Sequence, residues 1–284
     1  MSIDRSPDRV AQCALLAMLF ELSSSPKPGN VDRCHDFSDI GFHHFLASAV
    51  SAYPVFRKAA NGRSSAGSLI LEGVEAWQTW NLNSNTHFGS LVLMIPIAIA
   101  AVKPGELQAE LRDVLEKTTV IDAMDFYRAF EKAKARVAEV DNLSLNDRNW
   151  QKAVLGSGKT LQELMRLSSK HDIVAREWST NYERSFLLAD RLAKKISRWG
   201  LNDGVVRTFL EALAEVPDSL ICAKFGAELA HQVSGLAGDA LQDDTLGKAH
   251  ELDRDLLAQD INPGSTADLM AASLFISLLR GLRF

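Results

Sequence analysis

The chain has 284 residues, 46% of them hydrophobic and 24% charged, enough apolar content for a substantial core and too much for a disordered chain. A net charge of -5 speaks against a nucleic-acid duplex as partner, because such proteins present a basic face; a nucleotide needs only local cations. Cys13, Cys34 and Cys222 have no CxxC spacing, and the charged start MSIDRSPDRV has no apolar run, so a reducing, cytoplasmic setting is expected.

Helical periodicity begins at once, with Val10, Ala14, Ala17 and Met18 spaced by three and four. The next stripe is Phe42, Phe45, Leu46, Ala49, Tyr53 and Phe56; Leu69, Ile70, Val74, Trp77 and Trp80 follow. Ser90 to Val102 is the most apolar stretch, too short for a bilayer and stopped by Lys103-Pro104, so it is read as a core helix and no membrane is expected. Thr118 to Ile121 is briefly β-branched, but a helix is expected from Asp122 onward. Later stripes are Val206, Phe209, Leu210, Leu213 and Ala214, then Leu269, Ala272, Phe275, Ile276 and Leu279. Asp39, Thr86, Asp218 and Thr266 each precede a stripe, where a side-chain oxygen can cap free amides, and Pro104 suits a first turn. No strand or hairpin signal and no internal repeat appears. The expectation is an all-α fold: one compact multi-helix domain over residues 1–284, with roughly ten or eleven helices.

The polar stretch from Glu139 to Thr160 reads as a mobile loop or lid. Its Gly158-Lys159-Thr160 is similar to the end of a P-loop, but the glycine needed five residues earlier is Ala153 and no strand precedes it. The run from Asp172 to Arg184 reads as surface ion pairs, and Trp77, Trp80 and Phe88 as core. His43, His44, His171, His231 and His250 show no zinc-ligand spacing.

Three polar stretches exceed what helix ends require. Ser25-Pro26-Lys27-Pro28-Gly29-Asn30-Val31-Asp32-Arg33-Cys34-His35-Asp36 stiffens a loop around Lys27 and then presents Asp32, His35 and Asp36, with Glu21 one turn before. Asn83-Ser84-Asn85-Thr86-His87-Phe88-Gly89 sets amide, hydroxyl and imidazole groups at a helix start, where free amides attract phosphate. Asn262-Pro263-Gly264-Ser265-Thr266-Ala267-Asp268 opens the last helix with an acid in its first turn; Asp268 is there either a dipole-stabilising residue or a metal ligand.

In this order, the three stretches resemble the triphosphoribosyl-dephospho-CoA synthase family. Pro26 to Asp32 match its Pro-Lys-Pro-Gly-x-Val-Asp loop, and His35, Asp36, Phe45 and Ser48 match the His-Asp pair and following helix. Asn85, Thr86, His87 and Gly89 match its Asn-Thr-His stretch; Gly264, Ala267, Asp268 and Leu269 match its C-terminal signature. The chain departs from the pattern at Phe88, where the family has a basic residue, and in the contracted Cys34-His35-Asp36-Phe37, so a divergent branch is indicated.

The resemblance implies an all-α transferase that moves the 5-triphosphoribosyl group of ATP to the ribose 2′-hydroxyl of dephospho-CoA and releases adenine. It implies ATP as substrate, Mg2+ as companion ion, and small-molecule partners; a homo-oligomer is compatible with it. Such chemistry needs carboxylates against the ribosyl positive charge, a metal for the triphosphate, and proton-handling groups. The expected roles are catalytic for His35, Asp36 and His87, and nucleotide-binding for Glu21, Lys27, Gly29, Asn85, Thr86, Gly264 and Thr266. Asp32, Asp36 and Asp268 are expected to hold metal, and Lys27, Asp32, Asp36, His87 and Asp268 to line one cavity. Two other readings stay open: a related transferase with another acceptor, and a helical protein that binds nucleotide without consuming it.

Overall fold

The first stripe becomes helix α1, Pro7–Ser23, whose N-terminus is capped by the Ser6 hydroxyl accepting from the Arg9 amide. The structure, a computed structural model, describes residues 4–37, 40–82, 85–135 and 150–284. Next come α2 (Phe42–Ala59), α3 (Ala66–Gln78), α4 (Phe88–Ala101), α5 (Leu107–Glu116), α6 (Val120–Ala133) and α7 (Trp150–Ser157). The second half holds α8 (Leu161–Ser168), α9 (Ile173–Ser179), α10 (Glu183–Glu215), α11 (Ser219–Phe225), α12 (Ala227–Ala240), α13 (Gly247–Leu257) and α14 (Gly264–Leu279). No strand occurs among the described residues; Asp32 and His35 form one isolated bridge.

The all-α expectation holds, but the described residues contain 14 helices rather than ten or eleven. The surplus comes from short elements such as α7, α8, α9 and α11, of seven or eight residues each. Two turns carry too few apolar positions to show a stripe in a polar run. α10 breaks at Gly200, whose φ of 77° only glycine adopts without strain.

α4 and α14 form the centre. All residues of α4 except Gly89 are buried, and α14 packs against α1, α4 and α10. Pro96 inside α4 cannot donate to the carbonyl of Val92, and the Trp178 indole N–H donates there instead at 3.2 Å. The Tyr182 hydroxyl donates to the next carbonyl, Leu93, at 2.9 Å. These two bonds tie α9 and the start of α10 to the central helix. Among the described residues no helix is long and apolar enough to cross a membrane.

Several local expectations need correction. Asp218 caps α11 as expected, accepting from the Leu220 and Ile221 amides. His87, not Thr86, is the N-cap of α4; Thr266 lies inside α14; and Pro104 precedes the α5 cap, Glu106. Asp39 lies outside the described residues, as does the 139–149 part of the expected lid. Residues 150–157 of that lid form α7. Thr160 of the P-loop lookalike caps α8 through the Glu163 amide. Trp77 and Phe88 are core, but Trp80 is exposed.

Candidate functional site

The first turns of α4 and α14 meet the end of α1 around a cavity of about 670 Å3. Its lining includes Glu21, Asn85, Thr86, His87, Gly264 and Asp268, from the predicted stretches and the turn before the first. Phe88, Phe126, Phe130, Leu164 and Met165 give it an apolar wall, and Ser168, His171 and Asp172 also line it. Among the described residues, no lysine or arginine lines it.

Asp268 sits where two helix starts touch. Its Oδ1 accepts from the Ser90 hydroxyl at 2.6 Å. A Cβ at Gly89 would overlap the carboxylate, so glycine lets the acid approach the α4 backbone. Burial pushes the Asp268 carboxyl up to about 8; the Ser90 hydrogen bonds oppose this, while the Glu21 and Asp218 charges add to it. The cavity thus favours the protonated form of Asp268 at neutral pH.

His87 is 3% exposed and packs its ring edge-on against Phe45. Its Nδ1 lies 3.0 Å from the Ser48 hydroxyl, which accepts from the Thr86 hydroxyl at 2.7 Å. Nε2 has no hydrogen-bond partner. Burial holds the imidazole neutral by lowering its pKa to about 3. With the Thr86 proton given to Ser48, the Ser48 proton falls to Nδ1, which leaves Nε2 as an N–H donor.

Glu21, in the last turn of α1, is buried and pairs with the Lys27 ammonium at 3.4 Å. Burial raises its carboxyl, the Lys27 charge opposes that, and Asp32 adds to it. Lys27 is fully buried and its Nζ also donates to the Val31 carbonyl, so it stands behind Glu21 and not on the cavity wall. Gly29 has a φ of 74° and donates its amide to Asp253 at 2.9 Å; a Cβ there would overlap the Ile261 carbonyl.

The expected convergence of five side chains therefore resolves into a cavity and two neighbouring groups. His87 and Asp268 line the cavity; Lys27, Asp32 and Asp36 do not. Asp32 is fully buried and accepts from the Cys34 amide at 2.7 Å. Asp36 is exposed and accepts from the Phe42 amide at 2.5 Å, at the start of α2. That bond and the contact with Gly41 explain an acid here without catalysis. The expected metal trio Asp32, Asp36 and Asp268 does not assemble. Among the described residues, the side chains close enough to share one ion are Asp32, His35 and Asp253. Thr266 is buried, giving both its amide and its hydroxyl to Asp218 at 2.7 Å, so it joins α14 to α11 instead of facing the cavity.

Sequence reasoning missed several lining groups. Ser90 was visible beside Gly89 but had no signal of its own. Asn30 lay inside the predicted loop, and Asn262 opened the third stretch. Asn262 Oδ1 has no hydrogen-bond partner. Off the cavity, Asp253, one acid among many in polar α13, carried no sequence signal at all.

Comparisons with known proteins place the chain in a family. A model of the CitG family, described as ATP:dephospho-CoA triphosphoribosyl transferase, matches residues 7–283. A protein of Pseudomonas savastanoi pv. phaseolicola, named a probable 2-(5''-triphosphoribosyl)-3'-dephosphocoenzyme-A synthase, is 26% identical over 95% of this chain and 90% of its own length. A Streptococcus equi subsp. equi protein of the same name is 25% identical over 96% of this chain and 97% of its own. A crystal structure from Archaeoglobus fulgidus, carrying the provisional name triphosphoribosyl-dephospho-coA synthase, superposes with a TM-score of 0.73 at 29% identity. That match covers 85% of this chain and 100% of the other.

Proposed function

The chain belongs to the CitG family, ATP:dephospho-CoA triphosphoribosyl transferase, and from that premise we propose how its cavity performs the transfer. In the reaction the C1′–N9 bond of ATP breaks and C1′ bonds to the 2′-oxygen of dephospho-CoA. The triphosphate stays on the transferred ribose, and the proton lost by the acceptor hydroxyl leaves with adenine.

The observation that carries this reading is that the Asp268 carboxyl bonded to Ser90, the Glu21 carboxyl backed by Lys27 and an aromatic wall meet around one cavity. Adenine lies against Phe88, Phe126 and Phe130, an apolar surface suited to a base. The aromatic Phe88 in place of the family's basic residue extends this wall. Glu21, backed by Lys27, stabilises the positive charge that grows on the ribosyl carbon as the base departs. Asp268 gives its proton to adenine and then takes the proton of the attacking hydroxyl, returning to its starting state. His87 donates from Nε2 and, being neutral, adds no charge that would repel the forming cation.

No lysine or arginine lines the cavity among the described residues, so the triphosphate needs cations brought with it. Magnesium fits: it takes oxygen donors and keeps several waters. Asn262, whose Oδ1 is unpartnered, and the triphosphate itself supply such oxygens. The ion would neutralise the phosphates. The first turns of α4 and α14, both on the cavity wall, add their amide dipoles. Asn85, Thr86 and Gly264 act in this way, as the helix-start residues around the nucleotide.

Incubation with ATP, magnesium and dephospho-CoA tests the proposal by mass spectrometry. Dephospho-CoA should gain a triphosphoribosyl group as adenine appears. ADP or AMP formed in place of adenine, or intact ATP after long incubation, overturns it.

A further inference from the structure

The loop between α1 and α2 ends in a second cluster, apart from the cavity wall. His35 Nδ1 lies 3.2 Å from Asp253 Oδ2 and 3.5 Å from Asp32 Oδ1. The three donor atoms all lie within 4.8 Å of one another. Asp32 and Asp253 are 0% and 1% exposed, while His35 is 35% exposed on its side-chain surface. We propose that Asp32, His35 and Asp253 form a binding site for a first-row divalent transition-metal ion.

Charge supports a cation here. Glu21, Asp32 and Asp253 are three buried carboxylates around this loop, and Lys27 is the buried ammonium among them. Carboxylates held together away from water need further positive charge. Unused donor capacity points the same way. Asp253 Oδ1 accepts from the Gly29 amide, but the buried Oδ2 has no hydrogen-bond partner, and neither has His35 Nδ1.

Distances agree as well. Metal bonds of about 2.1 Å place neighbouring ligand atoms roughly 3.0 Å apart in an octahedron and 3.4 Å in a tetrahedron. The two separations from His35 lie at 3.2 and 3.5 Å. One imidazole nitrogen with two carboxylate oxygens suits manganese, iron, cobalt or zinc better than magnesium or calcium, which favour all-oxygen sets. The half-exposed edge of His35 leaves room for water to complete the shell.

The ion would tie the α1–α2 loop to α13. Asn30 and Val31, on the same loop, line the cavity, so the site fixes one wall of it. It does not depend on the transferase reading, because its test needs neither nucleotide nor turnover.

The full chain, stripped with a chelator and dialysed, is titrated with Mn2+ alone while free Mn2+ is followed by electron paramagnetic resonance. One ion per chain is expected. His35→Ala and Asp253→Asn should each weaken binding at least about tenfold, a loss typical of an altered metal site. The asparagine oxygen can still accept from Gly29, and the His35 ring makes no hydrogen bond, so both variants should stay folded, which melting curves check. Asp36→Asn and Asp268→Asn should bind as the wild type does. No stoichiometric Mn2+ binding overturns the site and leaves a His35–Asp253 ion pair. Binding lost in Asp268→Asn but kept in His35→Ala overturns it too, by placing the ion in the cavity.

Discussion

Asp268→Asn separates the proton that Asp268 carries from its shape. The folded chain holds this carboxyl at about 8, against an ordinary 3.8 once unfolded. Between those values the folded state binds a proton that the unfolded state has released, so stability falls as pH rises toward 8. His87 runs the other way: lowered from 6.5 to about 3 in the fold, it adds stability as pH rises through that window. The two slopes oppose each other from about pH 4 to 6.5, and above 6.5 His87 no longer opposes Asp268; comparison with the variant isolates the Asp268 part from other buried carboxyls. From pH 6.5 to 8.0 linkage gives roughly 1.5 kcal/mol, reduced to about 1 because the carboxyl faces a cavity that water enters. Asparagine removes the titration while its oxygen still accepts from Ser90. Urea unfolding of both proteins across that range should show the wild type losing about 1 kcal/mol relative to the variant. Parallel curves would refute the reasoning, because Asp268 would then carry no proton in the fold.

Gly89→Ala drives a methyl into the Asp268 carboxylate and should lower stability by about 1–3 kcal/mol, the usual cost of overpacking, and slow adenine release. A variant with wild-type melting and turnover would contradict that contact. Lys27→Met leaves Glu21 buried without its partner and should cost about 3–5 kcal/mol in urea unfolding. The double variant with Glu21→Gln should recover part of this loss, and additive losses would show that the pair is not coupled. His87→Ala should reduce kcat by about 10²–10³, the effect of losing one preorganised donor, with Gln restoring part of it. Equal kcat in all three proteins would remove Nε2 from the reaction. Turnover should also fall as pH rises through about 8, where Asp268 loses its proton; a flat profile to pH 9 would contradict the assigned acid.

The long helices were legible because their apolar positions repeat over three or more turns, as in α1, α4 and α14. α9 was not, since two turns in a polar run leave no stripe to read; α11 is as short, but its cap Asp218 marks its start. The site divides similarly. Asn85, His87, Gly264 and Asp268 stood at helix starts beside glycine, where sequence marks a close approach. Asp36 had the same look, but its oxygen is spent on the Phe42 amide. Lys27 looked like a phosphate ligand because two prolines frame it; burial turns it inward to Glu21. Asp253 reaches the loop from more than two hundred residues away, and no local pattern encodes such a meeting.

Adenine released per dephospho-CoA consumed, measured with wild type and Asp268→Asn, tests the central claim most directly. The account predicts one adenine for each triphosphoribosylated product in the wild type, with release nearly abolished in the variant. Adenine formed without product, or an Asp268→Asn variant as fast as the wild type, would contradict it.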